Sequence, residues 1–521
     1  MQALSSHLSG RWQSGSGKTA TLSNPTTDAA LATCDTHGLD LGAALDFARR
    51  EGGPTLRAMT FAQRGDLLAA MSKAIHAHRE GLIELAVANG GNTRGDAKFD
   101  IDGCIGTLMA YAELGKSLGD RRFLVEGAPL DIGRGGRVQG HHVRVPRQGV
   151  AVHINAFNFP AWGLGEKAAC ALLAGMPVLS KPATSTALVT WRIVEVLVEA
   201  GVCPPGVLSL LCGGAGDLLD HLGPQDVLAF TGSADTGARL RGHRRVLEAG
   251  VPVNVEADSL NSAVLAPGAD DATYDALIRH LHTEMTQKAG QKCTATRRIF
   301  VPADRLDEVI ADLSERLRGA VLGDPSRDDV HVGPLATRDQ QKAALDGIAA
   351  LLEVARPVFG EPGTGKPVGV EPGQGCFVSP LLLRADDPAN AHPVHRLEVF
   401  GPVSTVMPYD GHARSAAALV ARGEGSLVAS IYGDDRKWLE EAVLELAPWH
   451  GRLTVTDAKM AEKALSPGMV LPLLNHGGPG RAGGGSELGG TRGLELYTQR
   501  CAVQGNGPLL SRFFGVAAPE G

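Results

Sequence analysis

Val150-Ala151-Val152-His153-Ile154 is a short, largely β-branched apolar run, and beyond a proline-broken segment it gives way to small and apolar residues at helical spacing over 163–174. The pattern then repeats. Further apolar runs at 177–180, 206–211 and 227–230 alternate with helical patterns at 185–200 and 237–247, with Thr231-Gly232-Ser233 at the last strand-to-helix turn. Such alternation predicts an α/β, doubly wound parallel sheet covered on both faces, with ligands gathering at the carboxyl ends of its strands. Asn158, Lys181 and Ser233 all follow those ends.

Working outward, residues 41–118 read as helices, for example 63–76 with Leu67, Leu68, Met71 and Ile75 at helical spacing. Residues 123–148 read as a hairpin, with Val138, His142 and Arg144 on one face and His141, Val143 and Val145 on the other. One of those faces is free to pack against another subunit. Downstream, a strand at 298–301, a helix at 305–318 and a strand at 403–408 predict a second α/β domain. The glycine-dense run 477–493 reads as a loop before a strand-like tail, 495–503. No tandem repeat is visible.

At 521 residues and 43% apolar content, the chain is long enough for two or three cores. A net charge of -7 argues against a general nucleic-acid binder, although a local basic patch for a phosphorylated ligand is compatible with it. The eight cysteines lie far apart without C-x-x-C or histidine alternation, so neither a disulfide framework nor a metal site is expected. No window approaches the roughly 18 apolar residues of a membrane span, and the N-terminus lacks a basic start and an apolar stretch. The expected location is the cytoplasm.

Cys293 sits in Gly290-Gln291-Lys292-Cys293-Thr294, and Glu256 stands alone among apolar and small neighbours in Val253-Asn254-Val255-Glu256-Ala257. A thiol flanked by glycine and polar residues suits a nucleophile that substrate must approach closely, and a lone carboxylate at a strand end suits a general base. Together they suggest covalent catalysis followed by hydrolysis. Three glycine motifs mislead by comparison. Gly15-Ser16-Gly17-Lys18-Thr19 lacks the preceding strand and first glycine of a phosphate loop, and Pro367 blocks the helix that should follow Gly360 to Lys366. Gly478-Pro479-Gly480-Arg481-Ala482-Gly483 has no helix after it and reads as a flexible loop.

The chain resembles the aldehyde dehydrogenase superfamily over nearly its whole length. The resemblance rests on ordered motifs: Asn155-Ala156-Phe157-Asn158-Phe159-Pro160, Lys181-Pro182, Phe230-Thr231-Gly232-Ser233, Glu256, Gly290 to Cys293, Gly333-Pro334-Leu335 and Glu398-Val399-Phe400-Gly401-Pro402. The runs 254–261 and 288–295 are most similar to the branch that oxidises semialdehydes of coenzyme A thioesters in bacterial aerobic benzoate (box) and phenylacetate degradation. The resemblance implies attack by the Cys293 thiolate on the aldehyde, an oxyanion held by the Asn158 amide and the Cys293 N–H, and water activation by Glu256. Lys167 and Glu487 match positions that relay protons from the base. Gly232 and Ser233 match the cofactor pyrophosphate site, where free helix N–H groups favour anions. By the same resemblance Lys181 holds the adenosine ribose, Glu398 holds the nicotinamide ribose and Phe400 packs beside the ring.

Two departures stand out. Asp258-Ser259 replace a common glycine pair, and Ala183-Thr184 replace the Ser-Glu after Lys181-Pro182, so the carboxylate that would contact the adenosine ribose is missing. Thr184 therefore points to NADP. The expectation is a hydrolytic, NADP-dependent enzyme acting on 3,4-dehydroadipyl-CoA semialdehyde as a homodimer. It comprises a cofactor domain (1–122 and 147–255), a catalytic domain (256–475) and a β arm (123–146 and 490–512), with no room before Gly521 for a fused hydratase. The rival readings are a CoA-acylating dehydrogenase, against which Glu256 argues, and a catalytically retired binding protein, against which the intact set of Cys293, Glu256 and Asn158 argues.

Overall fold

A computed structural model describes residues 2–132 and 137–515. Its first sheet is built from the alternation at 150–256: β1 (Ala151–Ile154), β2 (Val178–Lys181), β3 (Leu208–Leu210), β4 (Val227–Thr231) and β5 (Val253–Glu256). They pair in parallel in the order β3-β2-β1-β4-β5. An antiparallel pair, Ser6–Leu8 and Arg11–Gln13, extends the β3 edge. The strand order reverses between β1 and β4, which leaves a crevice at the carboxyl ends. Val150, Val152, Leu179 and Leu228 are fully buried on one face, and Ala151, Val178 and Val227 on the other, as a sheet covered by helices requires.

The helix Trp162–Ala174 follows β1 and is buried almost all round, having Leu164, Ala168, Ala169, Leu172 and Leu173 in the core. It has no capping side chain of its own. Asp100, fully buried on helix Arg94–Leu118, accepts hydrogen bonds from the N–H groups of Ala161 (3.3 Å) and Trp162 (2.8 Å) instead. A carboxylate there satisfies two orphan donors and complements the helix dipole. In helix Phe61–Ala77 the predicted Leu67, Leu68, Met71 and Ile75 are all buried, and a reciprocal Thr60–Gln63 capping box starts the helix.

The second sheet holds β6 (Ser262–Leu265), β7 (Arg298–Pro302), β8 (Arg356–Phe359), β9 (Leu381–Arg384), β10 (Val403–Tyr409), β11 (Ser426–Tyr432) and β12 (His450–Thr456). Their order is β8-β9-β10-β7-β6-β11-β12, parallel except for β8. A third, antiparallel sheet joins Leu124–Asp131, Val138–Pro146 and Thr498–Asn506. Here the predicted face pattern fails at two positions: Arg144 is buried and Val145 is 38% exposed. Arg144 is drawn inward by ion pairs with Glu126 and with Glu495 (2.9 Å). The tail also differs from its reading, since 490–494 forms a 3-10 turn and a helix, Gly507–Phe514, follows the strand. The predicted helix at 237–247 is two helices, Ala234–Arg241 and Arg244–Ala249, broken at Gly242. Among the described residues no helix is long and apolar enough to cross a membrane.

Candidate active site

Glu256 ends β5, and Cys293 lies on the loop leading into β7; both open onto one cavity with Asn158, Glu166, Lys167, Thr231, Thr294 and His476. Its other wall is aromatic. Phe99, Phe159 and Trp162 pack edge to face with ring centroids 5.2–6.0 Å apart. Charged chemistry therefore meets an apolar surface able to take a hydrocarbon chain.

The cysteine loop is held from behind by polar groups. Asn261 Nδ2 donates to the carbonyls of Cys293 (2.7 Å) and Ala295 (2.9 Å), while Ser259 Oγ and the Val428 N–H donate to Asn261 Oδ1. The departure at Ser259 thus supports the nucleophile's backbone through Asn261. Arg297 donates to the carbonyls of Gly290, Lys292 and Gly401, and Thr294 Oγ1 to that of Gly468. Lys288, Ala289 and Gly290 take three successive left-handed conformations, and a Cβ on Gly290 would stand 2.2 Å from the Gly401 carbonyl. Only glycine fits there.

Beneath the loop, Lys292 pairs with Glu284 at 3.0 Å, both side chains being at most 1% exposed. Removing one member of such a pair strands the other charge. Lys292→Met is expected to destabilise the protein by about 3–5 kcal/mol, read as a fall in the midpoint of urea unfolding against wild type. A midpoint within error of wild type would show that the pair does not brace the loop.

Glu256 is 2% exposed, and His476 Nε2 lies 3.2 Å from its carboxylate. Burial alone would raise this acid's pKa, but the imidazole, Lys167 and the thiol outweigh it and the net shift is downward. His476 shifts upward for the complementary reason: burial opposes its charge, while Glu256 and Glu166 favour it. Burial and the adjacent Glu256 hold the Cys293 thiol well above its ordinary range. Lys167, 1% exposed, pairs with Glu487 (3.0 Å) and Glu166 (3.1 Å). Burial works against its charge, yet Glu487, Glu166 and Glu256 keep it protonated. Burial raises Glu487 despite Lys167, and its Oε1 accepts from Asn254 Nδ2 at 2.9 Å. Asn158 Nδ2 donates to the Gln291 carbonyl at 3.1 Å, so the amide reaches the cysteine loop from β1's carboxyl end.

The predicted cofactor residues lie at the carboxyl ends of β2 and β4 and on the segment between β9 and β10. Ser233 caps helix Ala234–Arg241 by accepting from Thr236, and Gly232 donates its N–H to the Glu256 carbonyl at 3.1 Å. Asp258 Oδ1 accepts from the Ala234 N–H at 3.1 Å, putting a carboxylate at that helix start. Lys181 ends β2 and its Nζ donates to the Pro182 carbonyl (3.2 Å); Thr184 opens a short 3-10 turn beside it. Burial lowers the Lys181 pKa. Glu398 accepts from the Ser259 N–H at 3.1 Å through Oε2, while its Oε1 is buried without a hydrogen-bond partner. Burial and Asp258 push Glu398 up to about 7 against Arg297. Phe400 meets Phe157 edge to face at 5.8 Å. Glu398 Oε1 faces Arg297 at 3.6 Å without a hydrogen bond and can accept one from a ribose hydroxyl, so the residues present fit a nicotinamide nucleotide.

The structure thus brings together Cys293, Glu256, Asn158, Lys167 and Glu487, and puts Lys181 and Thr184 at and after the end of β2, Gly232 and Ser233 after β4, and Glu398 and Phe400 just before β10. Sequence reasoning missed Glu166, His476 and the bracing Asn261. His476 sits just ahead of the run read as a flexible loop. That run is in fact closely packed: the Ala257 N–H donates to the Ala482 carbonyl, and Cβ atoms on Gly483 and Gly485 would lie 2.2 Å and 2.4 Å from the Val255 carbonyl. Its glycines let two backbones touch behind the base.

Residues 12–503 match the Aldehyde dehydrogenase family. A 3,4-dehydroadipyl-CoA semialdehyde dehydrogenase from Aromatoleum evansii is 46% identical over 479 residues, 91% of this chain and 93% of that one. Among solved structures, an NADP-dependent enzyme from E. coli superposes with a TM-score of 0.84 at 25% identity, covering 97% of this chain and 98% of that chain. Betaine aldehyde dehydrogenase from Staphylococcus aureus in complex with NAD+ also gives 0.84, at 23% identity over 96% and 95%. With the family match spanning nearly the whole chain and a thiol, a carboxylate and an amide converging on one cavity, the chain belongs to the aldehyde dehydrogenase family.

Proposed function

We propose that this enzyme oxidises a CoA-linked semialdehyde, 3,4-dehydroadipyl-CoA semialdehyde in aromatic-compound degradation, to the carboxylic acid by hydrolysis of a Cys293 thioester. The 46% identity over 91% of the chain carries the substrate reading. The aromatic wall of Phe99, Phe159 and Trp162 suits the hydrocarbon part of such a substrate. In this reading Cys293 adds to the aldehyde carbon, and Asn158 donates its amide to the oxygen that becomes negative. A preorganised donor is worth roughly 3 kcal/mol there because the charge develops only in the transition state. A bound nicotinamide nucleotide would supply the hydride acceptor for the carbon that Cys293 has attacked. Glu256 then takes a proton from water as it attacks the thioester, and Lys167 and Glu487 carry that proton away from the cavity.

The cofactor is proposed to be NADP, held by domain 1–122 and 147–255. Lys181 and Thr184 face the adenosine ribose, Gly232 and Ser233 the pyrophosphate, Glu398 the nicotinamide ribose, and Phe400 the side of the ring. Thr184 brings no carboxylate to repel a 2′-phosphate, and the nearby Lys181 ammonium can pair with one. Thr184→Glu is expected to reduce kcat/KM for NADP by more than for NAD. Equal effects on the two nucleotides would show that this position does not read the ribose. The catalytic domain (256–475) supplies the thiol. The arm (123–146 and 490–512) is proposed to pair two chains, since it exposes Leu130, Ile132, Val138 and Leu509 at 45–63%.

A further inference from the structure

Oxidising an aldehyde through a cysteine requires two protons to be taken up inside this cavity, one from the thiol and one from water, and Glu256 can take only one at a time. The structure supplies a second acceptor. His476 is 3% exposed, lies 3.2 Å from Glu256, and offers a ring nitrogen within 4.8 Å of the Cys293 sulfur and the Glu256 oxygen, which also lie within 4.8 Å of each other. It is placed there by a two-stranded ribbon, Asn475–Gly477 against Ser486–Leu488, in which His476 stands opposite Glu487.

Resting on the covalent mechanism proposed above, we propose that His476 is a further acid–base residue, which holds the Cys293 proton as an imidazolium while Glu256 stays a carboxylate ready for water. The S–H bond breaks and an N–H bond forms on the imidazole. Glu256 touches both groups and carries no net proton before or after the transfer. The thiolate then has a cation beside it, and the cluster's total charge is unchanged. After the thioester has formed, Glu256 is free to accept the proton of the attacking water.

The charged neighbours agree with this assignment. Glu256 on β5 and Glu166 on helix Trp162–Ala174 favour a proton on His476, whereas burial and Arg452 on β12 oppose it. Lys167 and Glu487 complete the surroundings through their own pair. The net upward shift makes the imidazole a stronger proton acceptor than a free histidine, and the net downward shift keeps Glu256 ionised on the acid side of its ordinary range. The step needs a neutral imidazole, so it operates above the pH at which His476 is protonated from solvent. It leaves a thiolate, an imidazolium and a carboxylate together, and the imidazolium offsets the burial and the Glu256 charge that otherwise hold the thiol up.

The test needs neither aldehyde nor nucleotide, so its outcome is independent of the substrate reading. Alkylation of Cys293 by iodoacetamide is followed against pH by mass spectrometry of its peptide, which separates it from the exposed Cys501. Wild type is expected to show two steps, the first a shoulder on the acid side of the thiol's own titration. His476→Phe and His476→Gln should each show one step at higher pH, with alkylation at neutral pH slower by about tenfold for each unit by which the thiol's pKa rises. The glutamine variant keeps a polar contact to Glu256 without accepting a proton, and decides the matter if the phenylalanine variant fails to fold. A two-step profile in a folded His476 variant, or a single step in wild type, overturns the proposal.

Discussion

Cys293→Ala is expected to abolish aldehyde oxidation, whereas Glu256→Gln is expected to complete one round of hydride transfer and then stall as a thioester. The thiol is needed before hydride leaves the substrate, and the carboxylate chiefly afterwards, when water must lose a proton. Glu256 is placed for the later role: it is buried at the end of β5, keeps its charge beside His476 and Lys167, and shares the cavity with the sulfur. Rapid mixing should show a burst of reduced nucleotide near one equivalent per site for the glutamine variant and none for the alanine variant. Steady turnover by Glu256→Gln at a near wild-type rate would remove Glu256 from the mechanism.

Truncating the substrate from a CoA thioester to a simple aliphatic semialdehyde is expected to lower kcat/KM by orders of magnitude. Contacts remote from the reacting carbon can hold it in attack geometry, and their loss is felt in the transition state. The phosphate charges of CoA add a second signature. On a chain of net charge -7 they need a local cationic site, so binding should weaken as salt rises. The decisive comparison is a CoA-linked semialdehyde against its free-acid counterpart at two ionic strengths. Equal efficiency for the two compounds would remove the CoA-thioester reading and leave aldehyde oxidation intact.

Local patterns made the first sheet and the nucleophile–base pair legible from sequence. β1, β2 and β4 are short apolar runs between helical repeats, and their carboxyl ends deliver Asn158, Lys181 and Ser233 because a parallel strand can only turn into its helix on that side. Cys293 and Glu256 stood out because each is chemically unlike its immediate neighbours. Their partner His476 did not stand out. It sits just ahead of a glycine-rich run whose composition suggests freedom, yet glycines of that run pack against the Val255 carbonyl behind the base, and His476 stands opposite Glu487, which only the family resemblance had singled out. Arg144 looked like one of several alternating arm residues until two carboxylates from separate segments drew it inward.

Sequence by itself therefore determined the elements and the reacting groups, since strand and helix periodicity and the need for a thiol and a base are written in adjacent residues. Only the tertiary structure decided the electrostatics around them. Whether Glu256 stands alone or pairs with His476, and whether Ser259 disturbs or braces the cysteine loop, depends on side chains brought within about 3–4 Å from distant parts of the chain. In a buried site, where charges interact strongly over that distance, those contacts set the protonation states on which the chemistry runs.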